Sequence, residues 1–296
     1  MKKIFFSLAL FSTVAAAAAD YTFVRPDRHW HIQSDVRAVA PAEMRTHSVK
    51  HSKLKYLDSN TSLFYSHSLN PDNSLSWQIG YDYLRLDWKD NPRFNESDFH
   101  NLVGSLAWLS TSTNKWRWIL NGGFTVDTKT FNFVDYAVYY GLMWGRYQFR
   151  DNVGIHVGAF AYYGIKNGYA LPILGADWWI SRKWKLTAVF PVDVSLSYQI
   201  AQNWSTDITY SSFGGPYRLP RRAHHGHGRY HHAIFEVYAT GADWNLECNY
   251  NVLKAGIGVG YNFGGWLFIR SSNNHHGKYF KYDSAPYGQA YLQFTF

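Results

Sequence analysis

A single cysteine, Cys248, stands in 296 residues, which excludes an intrachain disulfide and any metal centre built on thiolates. Long apolar runs are also missing. No segment after the leader approaches 18 consecutive apolar residues, so a helical membrane protein is excluded. Charge is sparse at 17% and tilted to the basic side, with 29 lysines and arginines against 21 acids. What replaces these features is aromatic: 19% of residues are Phe, Trp or Tyr, yet mean hydropathy is slightly negative at -0.33. That combination arises when apolar and polar residues alternate.

The N-terminus reads as an export signal. Lys2 and Lys3 precede an apolar stretch from Ile4 to Val14, and Ala17 and Ala19 supply the A-x-A cleavage pattern. Cleavage after Ala19 makes 1–19 a signal peptide and lowers the formal net charge from +8 to +6. An exported chain without disulfides draws its stability from architecture. Residues 20–60 form an N-terminal segment with a first strand near 33–40 and a polar outer loop, and 61–296 is the main body.

From Asn60 onward a hairpin grammar repeats. Trp116, Trp118, Leu120 and Phe124 oppose Arg117, Asn121 and Thr125; Trp244, Leu246, Cys248 and Tyr250 oppose Asn245, Glu247 and Asn249. This is period-two alternation, the mark of strands with unlike faces. Segments fall at about 33–40, 61–69, 74–88, 98–110, 115–126, 134–148, 152–163 and 172–181. They continue at about 184–190, 193–201, 204–213, 230–240, 244–251, 254–263, 265–272 and 287–296. The expected fold is all-β: a transmembrane antiparallel β-barrel with an even number of strands, 12 to 16, the segments themselves counting about 16.

Tryptophan separates a membrane barrel from a soluble sandwich. Expected turns at Ser112–Asn114, Ser181–Lys183, Ala201–Asn203, Gly241–Asp243 and Gly264–Gly265 are each followed by one: Trp116, Trp184, Trp204, Trp244 and Trp266. Indole prefers the level where hydrocarbon meets headgroups, so these five predict an aromatic girdle on the short-turn, periplasmic side. The last strand ends on Phe296, with Phe294 and Leu292 on the same face. A final strand of this kind resembles the C-terminal signal read by the outer-membrane barrel-assembly machinery, an expected partner together with the lipid bilayer and lipopolysaccharide. Placing Phe296 on the periplasmic side puts 89–97, 127–133, 164–171, 214–229 and 273–286 outside, along with short links at Pro191–Val192 and Leu253.

The stretch Leu171 to Tyr217 carries V-F-P at a strand end and G-G-P-Y entering a loop. It resembles a family of uncharacterised bacterial outer-membrane β-barrel proteins. The resemblance implies a barrel of the cell outer membrane and supplies neither substrate nor catalytic residues.

The most distinctive polar segment is 214–232, with His224, His225, His227, His231 and His232 among Arg218, Arg221, Arg222 and Arg229. Imidazoles at that density suit a divalent metal, and the arginines suit phosphate or another anionic ligand. A Gly-rich basic surface loop explains the same residues without a ligand. Asp283 and Ser284 beside His275 and His276 supply hydrolase residue types without a recognisable spacing, and the G-x-x-H-x-S-N-G pattern of outer-membrane phospholipases is absent. No enzyme activity, no cofactor and no nucleic-acid partner is expected. The leading functional expectation is a porin-like channel for small hydrophilic solutes, lined by Arg117, Asn121, Asp193, Gln199, Asp207, Asn245, Glu247, Asn249 and Lys115. The alternative is a structural or surface-binding barrel that presents the His/Arg loop to metal, lipopolysaccharide or a host surface.

Overall fold

A computed structural model describes residues 30–50, 52–89, 91, 94, 96–129, 131–134, 137–164, 167–219, 233–271 and 277–296. The signal segment and the five histidines of the basic loop lie outside the described residues. The strands are β1 (Trp30–Glu43), β2 (Lys53–Asn70), β3 (Asn73–Trp88), β4 (Asp98–Ser110), β5 (Trp116–Asp127), β6 (Val138–Arg150), β7 (Val153–Gly164) and β8 (Asn167–Trp179). They continue as β9 (Trp184–Phe190), β10 (Asp193–Ala201), β11 (Trp204–Phe213), β12 (Pro216–Arg218), β13 (Ala233–Tyr250), β14 (Leu253–Ser271), β15 (Lys278–Tyr282) and β16 (Ala285–Thr295).

All pairings are antiparallel, and the sheet closes on itself where β1 pairs with β16 from His31↔Thr295 to Val39↔Tyr287. The backbone of Trp30 and Phe296 exchanges two hydrogen bonds at that seam, at 3.0 and 2.8 Å. Closure pairs the first stave with the last, as a sheet that faces lipid requires. It leaves unpaired, among the described residues, the stretch of β8 before Leu174 on its β9 side and that of β11 after Tyr210 on its β10 side. β12 continues the line of β11 along β13, and β15 continues the line of β16 along β14, so the barrel has 14 staves.

The expected 16 segments are therefore corrected at two places. Gly241–Asp243 and Gly264–Gly265 are not turns: the first runs through β13 and the second through β14. Merging those segments moves the link at Leu253 to the short-turn end, where Asn251 and Val252 now form the turn. The wall also reaches further back than Asn60, since β1 begins at Trp30 and β2 at Lys53. Links at 71–72, 111–115, 151–152, 180–183, 202–203 and 251–252 share one end with both strand termini at the seam.

Sequence alternation becomes inside and outside. On β3, Ser74, Ser76, Gln78 and Asp82 are buried toward the interior, while Ile79 and Tyr81 between them are exposed. Ile79, Leu106, Leu120, Met143, Leu174 and Ile257, on six different strands, are each at least half exposed outward. So much apolar side chain around a whole circumference is untenable in water and natural in hydrocarbon. No helix among the described residues is long and apolar enough to cross a membrane.

Candidate functional site: the lumen and its closed mouth

Four adjacent chain segments bend at one level near the loop end. Phe213 pairs with Ala239, Ala239 with Gly265, and Gly265 with Tyr282. Gly214 just beyond Phe213 has φ +117°, and Gly264 has φ +91°, both in the left-handed region. A Cβ on Gly214 would lie 2.1 Å from the Val237 carbonyl oxygen, so the backbone passes where a side chain cannot fit. The ladder slips opposite Gly264, between Ala239 and Gly241. These glycines make a crease across the sheet, as bulges do.

Beyond the crease the sheet crosses the lumen. Residues 233–239 are buried without a break on both faces of β13. One face meets the far wall: the rings of Phe235 and Phe99 are 4.4 Å apart, and Tyr217 packs at 5.9 Å from Phe99. Asn101 of β4 donates from Nδ2 to the carbonyl oxygen of Pro216 at 3.1 Å, and Arg218 approaches Asp127 of β5 at 3.9 Å. The other face meets β7, where the Tyr162 hydroxyl donates to Glu236 at 3.3 Å. Neither β4, β5 nor β7 neighbours β13 in the sheet, so these are contacts across the barrel. Phe94, Trp88, Leu267 and Phe280 complete one apolar cluster. This flap, made of β12 and the loop-end parts of β13 and β14, crosses the mouth, while β15 beside it stays in the wall, hydrogen-bonded to residues 43–46 at the end of β1.

Below the crease the interior is polar on one side. Arg37 sits at the boundary, its guanidinium 4.4 Å from the Phe213 ring centroid while Nε and Nη2 donate to Gln289 Oε1 at 3.1 and 2.9 Å. Gln289 donates in turn to Asp243 at 3.2 Å and to Asn245 at 2.7 Å. Asn245 bonds Asp207 at 2.9 Å, and the Tyr287 hydroxyl donates to Asp243 at 2.6 Å. Gly256, Gly258 and Gly260 leave no hole in this wall, because Tyr291, Asn245 and Tyr287 lie over them. Further toward the short turns, Lys254 and Glu247 stand 3.7 Å apart. Asp193, Ser195, Ser197 and Gln199 on β10 are part-exposed to the interior.

The opposite wall is apolar. Leu142, Trp144, Phe160, Ile173 and Val189 on β6 to β9 form a second buried cluster facing inward. At its foot, Arg146 holds Asp177 with two bonds of 2.8 Å, His156 Nε2 lies 2.9 Å from the same carboxylate, and Trp144 Nε1 donates to His156 Nδ1 at 3.0 Å. Gly154 is bare because a Cβ there would lie 2.1 Å from Asp177 Oδ1.

The residues singled out from sequence divide clearly. Asp193, Gln199, Asp207, Asn245, Glu247 and Asn249 face the interior as expected; Asn121 also does, but is buried among neighbours. Lys115 lies in the turn before β5, with φ +69°. Trp116, Trp184 and Trp204 open strands at the short-turn end. Trp244 and Trp266 do not: they sit inside β13 and β14, and Trp266 stacks on Tyr238 at 4.3 Å. Leu292, Phe294 and Phe296 are exposed. Arg218 belongs to the flap, with its side chain 11% exposed, and not to an open loop. His224, His225, His227, His231, His232, Arg221, Arg222 and Arg229 lie outside the described residues, among which no group of three metal-ligating side chains occurs. The flap was missed from sequence, although A-I-F-E-V-Y-A at 233–239 breaks the alternation with the nearly continuous apolar run of a strand buried on both faces.

With the closed barrel and its interior in view, comparison with known proteins adds the lineage. The family described as Domain of unknown function (DUF6268) matches residues 42–231. The chain belongs to this family. An uncharacterized protein of Chlamydia pneumoniae is 24% identical over 212 residues, 66% of this chain and 63% of that protein's length. Among solved structures, a deltaS2 mutant of the TodX monoaromatic hydrocarbon channel aligns with a TM-score of 0.51 at 9% identity, covering 94% of this chain and 92% of its own. An outer membrane channel from Pseudomonas putida F1 aligns at 0.50 with 8% identity, covering 92% and 97%. At such identities the likeness is one of fold, and the fold is that of outer-membrane β-barrels.

Proposed function

We propose that this protein is an outer-membrane channel for small solutes, with its mouth shut by the internal flap in the conformation seen here. The short turns and the paired residues Trp30 and Phe296 at the seam face the periplasm, and the loop end faces outward. The single observation that carries this reading is the burial of β12 and residues 233–239 across the lumen, above an interior of part-exposed polar side chains. A barrel built only as a wall has no need of a sheet folded through its own mouth. The solved channels of like fold add support. Passage follows the polar wall from Asp193 to Gln293, so water and hydrophilic solutes are carried below the crease. Phe296, Phe294 and Leu292 serve as the assembly signal, and Trp116, Trp184 and Trp204 mark the periplasmic interface.

The test is conductance in planar bilayers. Wild type is expected to be closed or rarely open. Phe99→Ala with Phe235→Ala removes the rings that join flap to wall, and Asn101→Ala removes only a polar tie. Either is expected to raise open probability at least tenfold. A wild-type channel that is continuously open, with no change in either variant, would contradict the flap as a closure.

A further inference from the structure

The chain is basic overall, with 29 lysines and arginines against 21 acids, yet the polar wall of the lumen carries the opposite sign. Below the crease Asp35, Asp58, Asp193, Asp207 and Glu247 point inward, and each is part-exposed there. Asp82 and Asp243 lie buried in the same wall. From β9 through the seam to β3, the inward cations below the crease among the described residues are Arg37, Lys185 and Lys254. Charge elsewhere inside the barrel is balanced or peripheral. Arg146 answers Asp177 on the apolar wall, Arg218 answers Asp127 at the mouth, and Arg117 is exposed at the short-turn rim. The carboxylates lie on β1, β2, β3, β10, β11 and β13, so they form a lining and not one binding cluster.

The two signs are also held differently. Each cation is laid on an aromatic ring of the wall. Arg37 is 4.4 Å from the Phe213 centroid, Lys254 is 5.3 Å from that of Tyr291, and Lys185 is 5.6 Å from that of Trp179. Arg37 also stands opposite Asp58 in the ladder, and Lys254 is 3.7 Å from Glu247. Several carboxylates are held by neutral donors instead. Asp207 accepts from Asn245 at 2.9 Å and from Thr209 at 2.5 Å, Asp243 accepts from Tyr287, and Asp82 accepts from Asn60. A neutral donor fixes a carboxylate and leaves its charge standing. Between low-dielectric walls that charge is focused along the lumen and raises the local concentration of counter-ions. Acidic side chains lining a pore favour cations for this reason.

We propose that the open lumen selects cations, so that the solutes it carries are small and positively charged. This rests on the channel reading above and gives it a substrate class. The experiment records Phe99→Ala/Phe235→Ala channels in a planar bilayer under a potassium chloride gradient and reads the reversal potential. Asn101→Ala, which removes only a polar tie, is run in parallel in case the double change impairs assembly. Potassium is expected to permeate at least threefold better than chloride. Asp193→Asn, Asp207→Asn and Glu247→Gln, added together to the opened channel, are expected to lower that ratio at least twofold. A ratio at or below one, or a ratio that the three changes leave as it was, overturns the cation preference alone. No conductance from either opened variant overturns the channel reading and the proposal together.

Discussion

Arg146 shows how one residue can hold a wall of the lumen. Its side chain is 12% exposed and that of Asp177 is 6%, so neither charge is well solvated. The pair survives burial because Arg146 binds both carboxylate oxygens and His156 reaches the same group. Removing one partner strands the other: Arg146→Ala is expected to cost about 3–5 kcal/mol. Arg146→Ala with Asp177→Asn leaves no charge unpaired and is expected to cost less than the single change. Urea unfolding in vesicles, followed by tryptophan fluorescence, compares the two; a double variant less stable than Arg146→Ala would contradict the account. Gly214 is a second residue with a defined task. Gly214→Val would force a side chain against the Val237 carbonyl at a positive φ. The expected result is a flap no longer seated, read as a raised open probability with assembly retained.

At the scale of strands, the C-terminal β16 closes the barrel, with Phe296 bonded to Trp30 on β1. Deleting Phe296 is expected to reduce the heat-modifiable, outer-membrane form several-fold; unchanged assembly would contradict its role as a signal. Strand alternation was legible from the chain alone, because a period of two on β3, β5 and β10 follows directly from one polar and one apolar face. The Gly-Gly pairs were not. Gly264–Gly265 and Gly214–Gly215 have the composition of turns, yet in the fold they bend strands that continue, and glycine serves both ends equally well. Trp244 followed the same error, since its turn does not exist. Arg218 read as part of a basic surface loop because its partner Asp127 is 91 positions away in the chain, beyond the reach of any local pattern. The flap's contacts with β4 and β7 are likewise long-range. Only the loss of alternation at 233–239 announced them.

As a whole molecule the barrel has three zones: an apolar exterior, a half-polar lumen and a mouth packed like the core of a soluble domain. The mouth cluster joins inward side chains of β1 to β4 with those of β11 to β16. Burying Phe235 and Phe99 is worth about 3–5 kcal/mol each by truncation, enough to keep a flap shut against thermal opening. Below it, the chain from Arg37 through Gln289 and Asn245 to Asp207 orders polar groups that a hydrated path needs. The short β9–β10 hairpin breaks the symmetry of the wall on the apolar side. The central claim is closure by the flap, and single-channel recording of wild type beside Phe99→Ala/Phe235→Ala tests it most directly. The account predicts a silent wild type and a conducting variant; a wild type that conducts continuously, with the variant indistinguishable from it, would contradict it.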